Sequence, residues 1–109
     1  SGGPDLSTRR PPAMHVALVV GAAPELLERC RAAGEQAMLS IEECELASVG
    51  TRAAHLRPAI ILMTEDLYLF DPDEFAALAR DTHSSLVILS DESVPTAEIA
   101  RELAARARG

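Results

Sequence analysis

Two short runs of the chain carry almost no polar residue: His15–Val20 (HVALVV) and residues 59–63 (AIILM). A strand with one face in water alternates apolar and polar residues, so unbroken β-rich runs of this length predict strands covered on both faces, as in a parallel sheet. A third such run, residues 86–89 (LVIL), predicts another buried strand. Between and after these runs the apolar positions change to helical spacing. Leu26, Leu27, Cys30 and Ala33 recur behind Pro24, whose fixed φ suits the first helical turn, and they continue to Gly34.

Residues 37–45 mix Met38, Leu39 and Ile41 with Glu42, Glu43 and Glu45, which predicts a second strand near the sheet edge. Ser48 is placed to cap a short helix over residues 49–56, and Arg57-Pro58 stops it. Asp71-Pro72-Asp73-Glu74 predicts a further helix start, with Asp71 as cap and Pro72 at the first helical position. Phe75, Leu78 and Ala79 form its buried face. The last helix opens at Pro95 or Thr96 and turns Ile99, Leu103 and Ala107 to one side. The predicted order is β-α-β-α-β-α-β-α, an α/β fold with an open, flavodoxin-like parallel sheet and helices on both faces.

At 109 residues the chain has room for one domain and one connected core. Residues 1–13 (SGGPDLSTRRPPA) have no hydrophobic period and predict a disordered linker or expression tail, with the α/β domain over residues 14–109 and Met14 as a candidate natural start. The net charge of −7 repels phosphate backbones and anionic lipid, which disfavours nucleic acid and membrane surfaces as partners. Neither apolar run approaches the about 20 residues of a membrane span. Cys30 and Cys44 have neither CxxC nor zinc-ligand spacing and predict two buried, reduced thiols in a cytoplasmic protein. His15, His55 and His83 show no metal spacing, and no metal or cofactor is expected.

In open α/β sheets ligands collect outside the carboxyl ends of the strands, which directs attention to Gly21–Ala23, Thr64–Asp66 and Ser90–Glu92. The first turn, Gly21-Ala22-Ala23-Pro24, lacks both GxGxxG and the lysine of a phosphate loop, so nucleotide binding is not expected there. Glu65, Asp66, Asp91 and Glu92 are candidates to meet at this edge, either as a divalent-cation site or as solvated loop carboxylates. Tyr68, Leu69 and Phe70 fall between the central strand and the next helix, where exposed apolar side chains would form a binding patch.

At that edge the chain resembles the receiver domain of bacterial two-component response regulators. The run VALVV into Ala23-Pro24-Glu25-Leu26-Leu27 matches the first strand and helix of the family, but Gly21 and Ala22 stand where its magnesium-binding acidic pair is found. The run Pro58-Ala59-Ile60-Ile61-Leu62-Met63-Thr64 resembles the third strand and places Thr64 at the phosphoacceptor position. LVILS places Ser90 where receivers keep the residue that senses the phosphoryl group. The lysine-bearing final strand has no counterpart, since the chain contains no lysine, so the last strand-helix unit is expected to be missing or altered.

Receiver phosphorylation needs a carboxylate nucleophile, a carboxylate-held Mg²⁺ and a cation on the transferred group. The resemblance therefore implies a pseudo-receiver that is not an enzyme. Its role would be signalling through contacts with a protein partner, with a neighbouring domain of the same polypeptide, or with a second copy as a homodimer. Tyr68, Leu69, Phe70, Ile99 and Leu103 are the candidate interface. Two alternatives stay open: a receiver with a displaced acceptor at Asp66, and a small ligand-binding or enzymatic α/β domain using Thr64, Asp66 and Ser90.

Overall fold

Both wholly apolar runs lie at the centre of the sheet, which accounts for their composition. In the computed structural model, which describes residues 15–108, β1 (His15–Val20) and β3 (Ile60–Thr64) are neighbours, flanked by β2 (Leu39–Cys44) and β4 (Ser85–Leu89). The four-stranded sheet is parallel throughout, in the order β2-β1-β3-β4. Ala17 of β1 lies between Ile41 of β2 and Ile60 of β3, and Leu62 of β3 lies beside Val87 of β4. Residues 1–13 and Met14 are outside the described residues.

Side chains alternate across the sheet, so each central strand feeds two cores. Ala17, Val19, Ile60, Leu62, Val87 and Leu89 meet helices α1 (Pro24–Ala37) and α5 (Thr96–Arg108) on one face. Leu18, Val20, Ile61 and Met63 meet Ala53 of α2 (Val49–Leu56) and Phe75 and Ala79 of α4 (Pro72–Asp81) on the other. Each fully buried Leu or Ile here contributes about 1.5 to 3 kcal/mol, so both faces of β1 and β3 had to be apolar. The helices are distributed as right-handed crossovers require, and α5 returns to lie beside α1.

Several local expectations are corrected. Helix α1 does not stop at Gly34 but continues to Ala37, because Gly34 is buried against β2: a Cβ there would lie 2.5 Å from Ile41 Cγ1. Met38 belongs to no strand. It caps α1 in the left-handed region (φ 63°), with its N–H directed at the Gly34 and Glu35 carbonyls, and it is 73% exposed. Ser48 does not cap α2; a 3₁₀ turn over Leu46–Ser48 precedes the helix, and the Ser48 hydroxyl donates back to the Glu45 carbonyl at 3.3 Å. Asp71 does cap α4, accepting from the Glu74 N–H at 3.4 Å.

Two differences bear on function. Strand β4 is an edge strand, and Leu86 and Ile88 on its α4 side are only half-buried. Where a loop was expected after β3, residues Glu65–Tyr68 form the single-turn helix α3. Leu67 and Tyr68 turn inward onto the second core, so the turn that follows is left to present Leu69 and Phe70 outward.

Candidate functional site

Gly21, Thr64 and the loop after β4 converge at the carboxyl edge of the sheet. Gly21 takes φ 63°, a conformation that a side chain would strain, and its N–H donates to the Cys44 carbonyl at 2.9 Å. A Cβ there would lie 3.0 Å from Leu67 Cδ2, so the glycine also makes room for α3. Thr64 is half-buried at the end of β3 and starts α3 without a side-chain cap, and Glu65 and Asp66 occupy the first helical turn.

The loop after β4 is braced from two sides. Asp91 Oδ1 accepts from the Ser93 N–H at 2.7 Å and from the Ser93 hydroxyl at 2.6 Å. These bonds, side chain first and backbone second, hold the exposed Asp91 carboxyl below its ordinary range. From α1, Arg29 Nε donates to the Val94 carbonyl at 3.0 Å, and the same guanidinium bonds the Glu92 carbonyl. Nothing in the sequence pattern marked Arg29, because one arginine on the charged side of a helix is an ordinary solvated residue.

Between α3 and this loop lies an open groove of about 510 Å³, lined by Gly21, Thr64, Asp66, Phe70, Asp91 and Glu92 among others. A second depression of about 560 Å³ meets it at Gly21 and is lined by Ala22, Cys44, Ser48 and Arg52. Arg52 in turn pairs with Glu42 at 3.3 Å. The fold thus brings Gly21, Thr64, Asp66, Asp91 and Glu92 to one groove, and it leaves Ser90 exposed outside the lining residues. Among the described residues no three His, Cys, Asp or Glu side chains gather as metal ligands. His15, His55 and His83 are exposed at separate places, and Cys30 and Cys44 are free thiols.

The candidate interface divides. Phe70 lines the groove and is 77% exposed, and the neighbouring Leu69 is 60% exposed. Tyr68 is half-buried and stacks on Phe75 with ring centroids 6.2 Å apart, so it belongs mainly to the second core. Ile99 and Leu103, on α5, are fully buried in the core against the sheet and α1 and are not available to a partner. Their helical spacing marked an apolar stripe correctly, but a stripe pattern is the same whether the sheet or another molecule covers it.

Among the described residues no helix is long and apolar enough to cross a membrane. No family model matches the chain, and no curated protein matches it. Among solved structures it is similar to a de novo designed Rossmann 2x2 fold protein determined in solution by NMR, with 17% identity over 84% of each chain and a TM-score of 0.54. At that identity the likeness concerns the backbone alone, and with the strand order it makes this chain a Rossmann-like, flavodoxin-like α/β domain with a four-stranded parallel sheet.

Proposed function

We propose that this domain is a non-catalytic pseudo-receiver: a receiver-like module that acts in the reducing cytoplasm of a bacterial signalling protein by contacting a protein partner or a neighbouring domain. The observation that carries the reading is the exposed pair Leu69 and Phe70 after α3, of which Phe70 lines the carboxyl-edge groove. Two large apolar side chains left in water beside a groove are a cost that a partner surface removes. The groove supports the non-catalytic part of the proposal. The strand ends carry Gly21 and Thr64 in place of carboxylates, and among the described residues no basic side chain lines the groove to steady a transferred phosphoryl group.

A second reading has one observation in its favour, since Asp66, Asp91 and Glu92 do share that groove. The two are separated by intact-mass analysis after incubation with acetyl phosphate and Mg²⁺. The pseudo-receiver stays at its unmodified mass; an adduct of about 80 Da mapped to Asp66 or Asp91 would establish the switch and discard the proposal. The interaction surface is tested by Phe70→Glu, which should leave the urea midpoint unchanged because the ring is already in water. A loss of stability typical of a core substitution would place Phe70 inside and remove the surface.

A further inference from the structure

We infer that the carboxyl-edge groove takes a basic, amphipathic segment of a partner protein, with an arginine or lysine seated among Asp66, Asp91 and Glu92 and an apolar side chain laid against Phe70 and Leu69. This names the partner chemistry of the interaction reading above and rests on that reading. The apolar part of the surface is the exposed Leu69 and Phe70, of which Phe70 lines the groove. The charged part is of one sign: Asp66, Asp91 and Glu92 line the same groove and are all exposed.

The charge of both walls follows from the chain. One wall comes from α3 and the turn after it, the other from the loop after β4. Neither residues 58–79 nor residues 84–100, which contain these walls, include an arginine, lysine or histidine. Around Leu69 and Phe70 the chain places Glu65, Asp66, Asp71, Asp73 and Glu74, all exposed. The cations that come from other elements are engaged. Arg29 of α1 donates to the Val94 and Glu92 carbonyls, and Arg52 of α2 pairs with Glu42. Glu65, Asp66, Asp73 and Glu74 sit in first helical turns, where a carboxylate also suits the helix dipole. Asp91 and Glu92 precede α5 in a loop, outside any first turn, and no dipole accounts for an exposed phenylalanine.

The two features together select one class of occupant. A purely apolar segment would cover Phe70 but draw the carboxylates out of water with no opposite charge to offset the loss. A small cation would answer the carboxylates and leave Leu69 and Phe70 in water. An acidic segment, or the same groove of a second copy of this chain, meets like charge. A basic amphipathic segment satisfies both parts, and a guanidinium within about 6 Å of the Phe70 ring adds an attraction to its face. The net charge of −7 steers such a segment toward the protein.

The test uses two fluorescein-labelled peptides of about 12 residues, one with arginine and leucine at helical spacing and one with serine in place of every leucine. Affinity is read by anisotropy, and location by amide NMR shifts of the isotope-labelled chain. The arginine–leucine peptide should bind with a micromolar dissociation constant and move amides of residues 64–71 and 90–93, and the serine peptide should bind about tenfold more weakly. Phe70→Ser should cost about tenfold, and Asp66→Asn combined with Glu92→Gln about fivefold, each with the dispersed amide spectrum of a folded chain. Glu35→Gln, at an exposed position in the last turn of α1, should change nothing. No binding at about 100 μM, shifts spread over the whole acidic surface, or equal binding of the serine peptide overturns the inference. Failure of the peptide with the acetyl phosphate mass still unmodified strikes only the basic partner, whereas a phosphoryl adduct strikes the pseudo-receiver itself.

Discussion

Gly34 is where a gain in helix propensity and the packing of the sheet act in opposite directions, and replacing it with alanine measures the difference. In a helix interior Gly→Ala ordinarily gains about 1 kcal/mol. Here the new methyl would lie 2.5 Å from Ile41 Cγ1, 2.7 Å from Ile41 Cδ1 and 3.1 Å from the Leu39 carbonyl oxygen. Carbon atoms rest at about 3.5 to 4.0 Å, so Ile41 must retreat by about 1 Å. Overpacking of this kind costs about 1 to 3 kcal/mol, which outweighs the helix gain and leaves a net loss of about 1 kcal/mol.

The sign of the effect should depend on Ile41. Ile41→Ala removes both close atoms at a cost of about 2 kcal/mol, and in that background Gly34→Ala meets only the Leu39 oxygen and should stabilise by about 0.5 kcal/mol. Urea denaturation followed by CD at 222 nm resolves this, because a 1 kcal/mol change moves the midpoint by about 0.5 M for a domain of this size. The coupling between the two positions should be about 1.5 kcal/mol. If Gly34→Ala stabilised the parent protein, or cost the same in both backgrounds, the close approach of α1 to β2 would be wrong.

Met38→Gly should stabilise the fold by about 1 kcal/mol in the same assay, since the left-handed cap strains a side chain that is 73% exposed and contributes little packing. The Cys30 thiol is pushed up to about 11 by burial, with Arg29 opposing and Glu92 adding to the shift. Its folded value lies above the ordinary 9.0, so its contribution to stability is complete below pH 9 and is lost as the pH rises toward about 11. Equilibrium unfolding between pH 8 and 11 should show that loss, and Cys30→Ala should flatten it. An unchanged slope in the variant would assign the loss to other groups.

The unbroken apolar runs of β1 and β3, the helical spacing of Leu26 and Cys30, and the Asp71-Pro72 start were readable along the chain because each rests on a local periodicity or on the chemistry of one turn. They determined the element order and, with the handedness of crossovers, the parallel sheet. Local pattern also brought Gly21, Thr64, Asp66, Asp91 and Glu92 to the same edge, because strand ends in a parallel sheet converge there.

What only the tertiary structure decided are matters of who covers whom. Ile99, Leu103, Leu69 and Phe70 are all apolar, yet the first two are buried where α5 packs against the sheet and α1, while α3 turns the last two into water. Gly34 reads as a helix stop until β2 is placed against it, and LVIL reads as interior until β4 is found at the sheet edge. Apolar side chains carry no directional label. A sequence therefore sets how much surface each element must bury, and the packing of distant elements sets which of that surface remains open to a partner.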